Sequence, residues 1–454
     1  MKKNYQTQTA RARISGRTTP KKAKTDSRRD AHEAPLALPD TVTVAIGELA
    51  GELEEGLLAF AVGAGMQVLG VILDNEATAL AGPKGVHDPE RTAVRHGTED
   101  GLVALGGRQV SIRRPRLRSA DRKAEVQLPT YQACTSTELL GRETLARMMA
   151  KLSTRRYGAG LEPMGKTIEA ASRSTSKSAV SRRFVAATET ALTELMNSDL
   201  SELDLVAIMI DGVHFAGFLC VVALGIDIDG NKWPLAVEEG DTENATLVKD
   251  LLAGLRGRGL DMTKPILAVL DGAKALCAGV QAVFDHPVIA RCQLHKIRNV
   301  ESKLPDDVAR VVVKEMRAAY ANPDALAAQG RLEALAKRIE RSHPGAAGSL
   351  REGLVETLTV ARLGVPPTLA RSLRSTNGVE SMIEICRDHS RNVKNWRDGE
   401  MALRWCAAGM VEAKKQFRRV NGHLHLKALR TSLEKHIAET VTPRRYSADK
   451  EVAA

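Results

Sequence analysis

The stretch "LVAIMIDG", residues 205–212, is an apolar run that stops at an aspartate and a glycine, and "PILAVLDG", residues 265–272, repeats that design sixty residues later. Short aliphatic runs bounded by turn signals mark strands buried on both faces. Between them, "GFLCVVALGIDIDG" (217–230) reads as a second strand closing on an Asp-Gly turn and "KWPLAVEEG" (232–240) as a third, while "ENATLVKDLLAGLRGRG" (243–259) reads as a helix. After residue 272, "AKALCAGVQAVF" (273–284) reads as another helix, and "HPVIAR" (286–291) as a further strand. Three strands in a meander, then helix and strand in alternation, give a mixed α/β sheet.

Asp211 and Asp271 stand where the first and fourth apolar runs stop, each followed by a glycine that leaves room for a turn and a ligand. That edge is where open α/β sheets carry their sites; a turn-forming Asp-Gly is the alternative at either position. On neighbouring strands the two carboxylates would repel, an arrangement tolerable when divalent cations neutralise it. Two Mg²⁺ or Mn²⁺ ions held there would clamp the attacking and leaving oxygens of an in-line phosphoryl transfer. Glu380 in "STNGVESMIEIC" (375–386) is the candidate third ligand. A helix from about 378 gathers Val379, Met382, Ile383 and Cys386 on an apolar stripe and Glu380, Glu384, Arg387 and Arg391 on a polar face. Asn377 as N-cap with Glu380 three residues on is a capping box, a role that competes for the same side chain.

The charge of the 454-residue chain is +11, and the excess is clustered. Residues 1–30 hold ten Lys/Arg against two Asp without apolar periodicity, as a disordered tail attracted to polyanions would. In "GLVALGGRQVSIRRPRLRS" (101–119), Val103 and Leu105, then Val110 and Ile112, alternate across Gly106-Gly107, a β-hairpin signal. Its second strand runs into Arg113, Arg114, Arg116 and Arg118, with Pro115 stiffening the backbone, so the guanidinium groups emerge from a fixed ribbon for phosphate contact; a solvated edge strand is the alternative. A helix at "RETLARMMAKL" (142–152), the break holding Arg155 and Arg156, and a Ser-capped helix with Lys177, Arg182 and Arg183 on its early turns suit a helix-turn-helix. Arg387 and Arg391 extend the basic set. Six cysteines without framework spacing point to reduced thiols, and no run of some 18 apolar residues suggests a membrane span. The expected setting is the cytosol.

The expected organisation is a basic tail (1–38), a segment of one or two amphipathic helices (39–90), and a DNA-binding region of hairpin and helix-turn-helix (91–200). Two halves of the α/β core (204–299 and 373–430) follow, split by an all-helical insertion (300–372), with a C-terminal tail from 431 to 454.

"IMIDG" with Asp211, "AVLDGAKAL" with Asp271, "HPVIARCQLHKIRNV" with Cys292 and His295, and "RSTNGVESMIEICRDHSRNVKNW" with Glu380 resemble the Mutator-type family of bacterial insertion-sequence transposases. The resemblance covers about residues 90–430, including "RRPR" and "STRRY…SAVSRRF". It implies a DDE recombinase with an RNase H-like core, in which Asp211, Asp271 and Glu380 hold Mg²⁺. It further implies that activated water cleaves the ends of double-stranded element DNA at terminal inverted repeats, and that the 3′-OH ends are joined to target DNA. Bringing two ends together makes a homodimer the minimum assembly.

Cys292-x-x-His295 looks like half of a zinc site, but only His286 and Cys277 lie near enough in sequence to complete it. On a helix starting near 291 the two would face the sheet edge, with His295 touching the scissile phosphate or ordering an acidic ligand and Cys292 packed behind it. Asp227 and Asp229 read as turn residues, His214 as a packed or hydrogen-bonded histidine, and Trp396 and Trp405 as core. A non-catalytic DNA-binding protein derived from a transposase is the alternative; it would explain the charge but would not need three acids.

Overall fold

The computed structural model describes residues 56–86 and 91–441, so the basic N-terminal tail, the start of the first helical segment and the last residues of the C-terminal tail lie outside it. Among the described residues one helix, α1 (Leu57–Ala81), is long and apolar enough by length and composition to cross a membrane. One side of it buries Leu73, Ala77 and Ala81 on a hairpin of β1 (Ala93–Leu105) and β2 (Arg108–Ser119), against Val103, Ile112 and Leu117. The hairpin turns at Gly106 and Gly107, φ 52° and 84°, as a two-residue loop with both centres left-handed requires. A short β3 (Glu125–Val126) completes this small sheet.

Four helices follow: α2 (Pro129–Cys134), α3 (Thr137–Met149), α4 (Lys166–Ala171) and α5 (Lys177–Asn197). The third segment starts earlier than periodicity suggested, because Ser136 caps α3 by accepting from the Leu139 amide. Ser176 does the same for α5, accepting from Ala179. Phe184 of α5 packs with Met148, Met149 and Tyr157 into a core of their own that also takes in Trp405.

The main sheet is mixed, as the apolar runs foretell. β4 (Leu205–Phe215), β5 (Phe218–Asp227) and β6 (Lys232–Gly240) form the antiparallel meander. After α6 (Ala245–Gly257), β7 (Ile266–Leu270) joins β4 in parallel; after α7 (Lys274–Val283), β8 (Pro287–Arg291) joins β7. The order is β6-β5-β4-β7-β8. Alternation divides β4 between two cores: Ile208 and Ile210 face Leu251, Leu252 and Leu276 of α6 and α7. Met209 and Val213 face the other core, which the C-terminal helices cover. Asp227 closes the β5–β6 turn, accepting from the amides of Asp229 and Asn231 and from Trp233 Nε1.

Beyond β8 the chain is helical: α8 (Gln293–Glu301), α9 (Asp306–Tyr320), α10 (Ala325–Glu340), α11 (Pro344–Arg351), α12 (Leu354–Thr357), α13 (Thr359–Arg362) and α14 (Pro367–Leu373). The first five of these share one core, including Val300, Val312, Met316, Leu332 and Leu350. Buried Lys296 of α8 donates to the carbonyls of Ser349 and Glu352, both at 2.6 Å. Burial and the nearby Arg291 charge pull its ammonium down to about 8. Then come α15 (Asn377–Ser390), α16 (Gly399–Gln416) and α17 (Leu426–Val441). Gly409 lets α16 close on α15, since a Cβ there would stand 2.8 Å from Cys386 Cα. The expectation of a tail from 431 is corrected: α17 continues to Val441 and buries Leu429 and Leu433 in the main core, so its apolar face fixes it.

Candidate active site

The aspartates meet because of strand register. β4 pairs with β7 at Ala207–Leu267, Ile208–Ala268 and Met209–Val269, so the same offset carried two residues on sets Asp211 beside Asp271. Both share alternation parity with Met209 and Val269 and lie toward the face that α15 covers. Asp211 does not end its strand, as the sequence suggested; β4 runs on to Phe215, paired only with β5. Asp271 follows directly on the end of β7, where Gly272 adopts φ 104° and the Asp271 carboxylate accepts from the Ala273 amide at 2.7 Å. Asp211 Oδ1 accepts from the Gly212 amide at 2.9 Å. Burial, then the charges of Asp271 and Glu380, push the Asp211 carboxyl up to about 6 against that hydrogen bond and the nearby His295.

Glu380 enters from the first turn of α15, whose close seat over the sheet depends on Gly378: a Cβ there would stand 2.9 Å from Met209 Sδ. The capping box is corrected. Thr376, not Asn377, is the N-cap, no side chain caps the helix, and the Thr376 hydroxyl donates to Glu380 Oε1 at 2.8 Å. Helix α8 starts at Gln293, two residues later than expected, and the Cys292 and His295 side chains still meet. Cys292 is the N-cap, its Sγ accepting from the amides of His295 (3.5 Å) and Thr376 (3.4 Å). His295 reaches Glu380 Oε1 through Nε2 at 3.5 Å and Thr376 Oγ1 through Nδ1 at 3.4 Å. The bond to Cys292 and the neighbouring Glu380 and Asp211 charges raise the imidazole pKa despite burial. Burial opposes ionisation of Cys292, but its hydrogen bonds to His295 and Thr376 outweigh it and lower the thiol pKa. Cys292, His295 and Glu380 offer ligand atoms within 4.8 Å of one another.

Beside the aspartates lies a cleft of about 420 Å³ lined by Asp211, Gly212, His214, Asp241, Glu243 and Asp271 among others. His214 is exposed there instead of packed or hydrogen-bonded. Glu243, just before the Asn244 cap of α6, approaches from the other side of the sheet: its Oε2 lies 3.0 Å from where a Cβ on Gly212 would stand. Burial, with the charges of Asp271 and Asp211, raises its pKa. Glu243 and Thr376 were missed by sequence reasoning. Nothing local marks Thr376, while Glu243 carried one usable signal, an acid just after the third strand of the meander and just before the Asn244 cap. The donors are hard carboxylate oxygens with mutual repulsion, a set that suits divalent cations.

Beside this geometry stands a likeness at the level of the whole chain. The family model "Transposase, Mutator family" matches residues 57–420. The chain belongs to this family. Among curated relatives of this Mutator-family chain, the transposase for insertion sequence element ISRM5 of Rhizobium meliloti (strain 1021) is 27% identical over 354 residues, 78% of this chain and 87% of that protein. The transposase for insertion sequence element IS6120 of Mycolicibacterium smegmatis is 30% identical over 237 residues, 51% of this chain and 72% of its own length.

The basic residues of this Mutator-family chain divide into two groups. Arg155, Arg156, Lys177, Arg182, Arg387 and Arg391 are exposed. So is Arg113, which donates to Thr98 Oγ1. Arg114 does not emerge from the ribbon: it is buried at 7% exposure, ion-paired with Glu99 and Glu125 and stacked 4.2 Å over Tyr131. Arg116 bridges the same two acids. Arg183 is half-buried, donating to Thr144 Oγ1 with its guanidinium near the Tyr157 ring. Desolvation of a guanidinium demands such partners, and they turn these three side chains toward the protein.

Proposed function

We propose that this chain is a DDE-type transposase with an RNase H-like core, acting on the terminal inverted repeats of its own insertion sequence. The convergence of Asp211, Asp271 and Glu380 at one edge of a sheet ordered β6-β5-β4-β7-β8 is the observation that carries this reading. Asp211, Asp271 and Glu380 would hold Mg²⁺ or Mn²⁺, two ions in the fullest form, with Glu243 as a fourth carboxylate beside them. When bound, such cations supply Lewis acidity for in-line displacement at phosphorus. Thr376 and His295 fix the Glu380 carboxylate, and the strand pairing fixes the aspartates, so the ligands are set before DNA arrives. Water attacks the phosphodiester at the element's end and frees a 3′-OH; that hydroxyl then attacks target DNA at the same site, with no covalent protein intermediate. Two ends must be held together, so the working form is at least a dimer on DNA, in the bacterial cytoplasm.

The test is Asp211→Ala. It abolishes Mg²⁺-dependent cleavage of labelled element ends and leaves end binding intact; a variant that still nicks those ends sinks the proposal. Joining of labelled ends into a plasmid by the unaltered protein excludes a DNA-binding protein without catalysis.

A further inference from the structure

A second cleft, of about 510 Å³, opens between α5 and the segment that follows the Glu380 helix. Arg155 and Lys177 line one wall, Asn392, Asn395 and Arg397 the other, and Trp405 is among the residues beneath. Arg155 and Lys177 make no ion pair among the described residues, and Arg397 makes a loose one of 3.6 Å with its neighbour Asp398. Arg404, also lining the cleft, is engaged by Glu189 and Glu400. Asn392 Oδ1 is buried without a hydrogen-bond partner. Cations serve an anion, but an orphaned acceptor wants a donor such as a base amino group, and a nucleotide strand supplies both.

The cleft is preformed, because its walls are stitched together. Lys151 pairs with Asp388 at 2.8 Å, His389 Nδ1 bonds the Met149 carbonyl at 2.6 Å, and Asn392 Nδ2 donates to the Lys151 carbonyl at 3.2 Å. These bonds tie the end of α15 to the loop after α3 and hold Arg155 opposite Arg397. From Glu380 to the end of α15 at Ser390 the helix rises about 15 Å at 1.5 Å per residue. At about 3.4 Å per nucleotide along a strand, that is about four to six nucleotides.

We propose that this cleft seats the backbone of the cleaved DNA strand about four to six nucleotides from the bond that is cut, with phosphates on Arg155, Lys177 and Arg397. It rests on the DDE transposase reading above and adds a measuring device to it: the strand is gripped at a fixed distance from the acids.

Full-length protein is tested on labelled element-end DNA. Binding of the Arg155→Gln/Lys177→Gln/Arg397→Gln triple variant loses about 2 to 3 from the slope of log affinity against log salt, near one per phosphate contact. Ethylation interference at phosphates about four to six nucleotides from the cut, seen with the unaltered protein, disappears in the triple variant. Arg155→Lys/Arg397→Lys keeps both signals, which separates a charge role from misfolding. Unaltered protein that cuts the ends, with a triple variant of the same slope and interference pattern, overturns the cleft alone. Unaltered protein that does not bind the ends overturns both readings.

Discussion

Thr376 Oγ1 donates to Glu380 Oε1 at 2.8 Å, and the same hydroxyl lies 3.4 Å from both Cys292 Sγ and His295 Nδ1. One buried threonine therefore joins the Cys-His pair to the glutamate on the first turn of α15. A hydrogen bond to a charged group contributes about 1.5–3 kcal/mol. Thr376→Val should slow end cleavage by about 10- to 100-fold on the scale of 1.36 kcal/mol per decade, with end binding unchanged, while Thr376→Ser stays close to the original rate. Equal loss in both variants would show the methyl, not the hydroxyl, to be what matters.

Asp211 makes the metal-free protein sensitive to pH. Its carboxyl is raised from 3.8 to about 6, so the native state keeps a proton that the unfolded chain has released. Stability falls as pH rises from about 4 to 6, and the full penalty remains above that. Asp211→Asn should raise the metal-free stability at neutral pH by about 1–2 kcal/mol after allowing for solvent contact, and the melting point with it, with little change near pH 4. Mg²⁺ or Mn²⁺ should raise the melting point of the unaltered protein more at neutral pH than at about pH 5. Calorimetry across this range checks both, and a lower neutral-pH melting point for Asp211→Asn would contradict the repulsion argument.

Glu243 shares the cleft with Asp211 and Asp271 and feels both charges. Glu243→Gln should raise the Mn²⁺ concentration for half-maximal cleavage about 10-fold, the usual effect of losing a group that supports a metal's ligands. Affinity for the ends without metal should not move. An unchanged metal midpoint would leave Glu243 a bystander.

Arg114 tests the inward turn of the hairpin arginines. Arg114→Ala leaves Glu99 and Glu125 to share Arg116, and should cost about 2 kcal/mol once the partners' partial exposure is allowed for. The salt dependence of DNA binding should keep its slope. A slope reduced by about one would restore this residue as a phosphate contact.

The strands, their meander and the position of both aspartates were legible because a doubly buried strand writes itself as an unbroken apolar run. The Gly106-Gly107 hairpin was equally plain, since few residues accept two positive φ values in succession. What escaped notice depends on tertiary partners. Arg114 and Arg116 look like a phosphate ribbon until Glu99 and Glu125 are folded against them. Leu429 and Leu433 look like part of a tail until the main core closes over them. Glu243 joins the acids through the pairing of β5 and β6 and the direction of α6, and Thr376 meets Cys292 across 84 residues. Pattern within a short window cannot report such meetings.

That last contact has a consequence for how such a chain can vary. The amide of Gln293 donates to the Arg374 carbonyl at 3.0 Å, and Thr376 touches Cys292. The seven-helix excursion between them thus departs and returns through one doorway, and its last two helices rejoin the main core through Val360, Leu363, Leu369 and Leu373. Its outer helices α9, α10 and α11, packed in a core apart from the main one, can lengthen, shrink or be exchanged without shifting Asp271 or Glu380, provided the doorway stays tied. The spacing between the second and third acids is then free to drift between relatives, while the residues at the doorway, Cys292, Gln293, Arg374 and Thr376, are not.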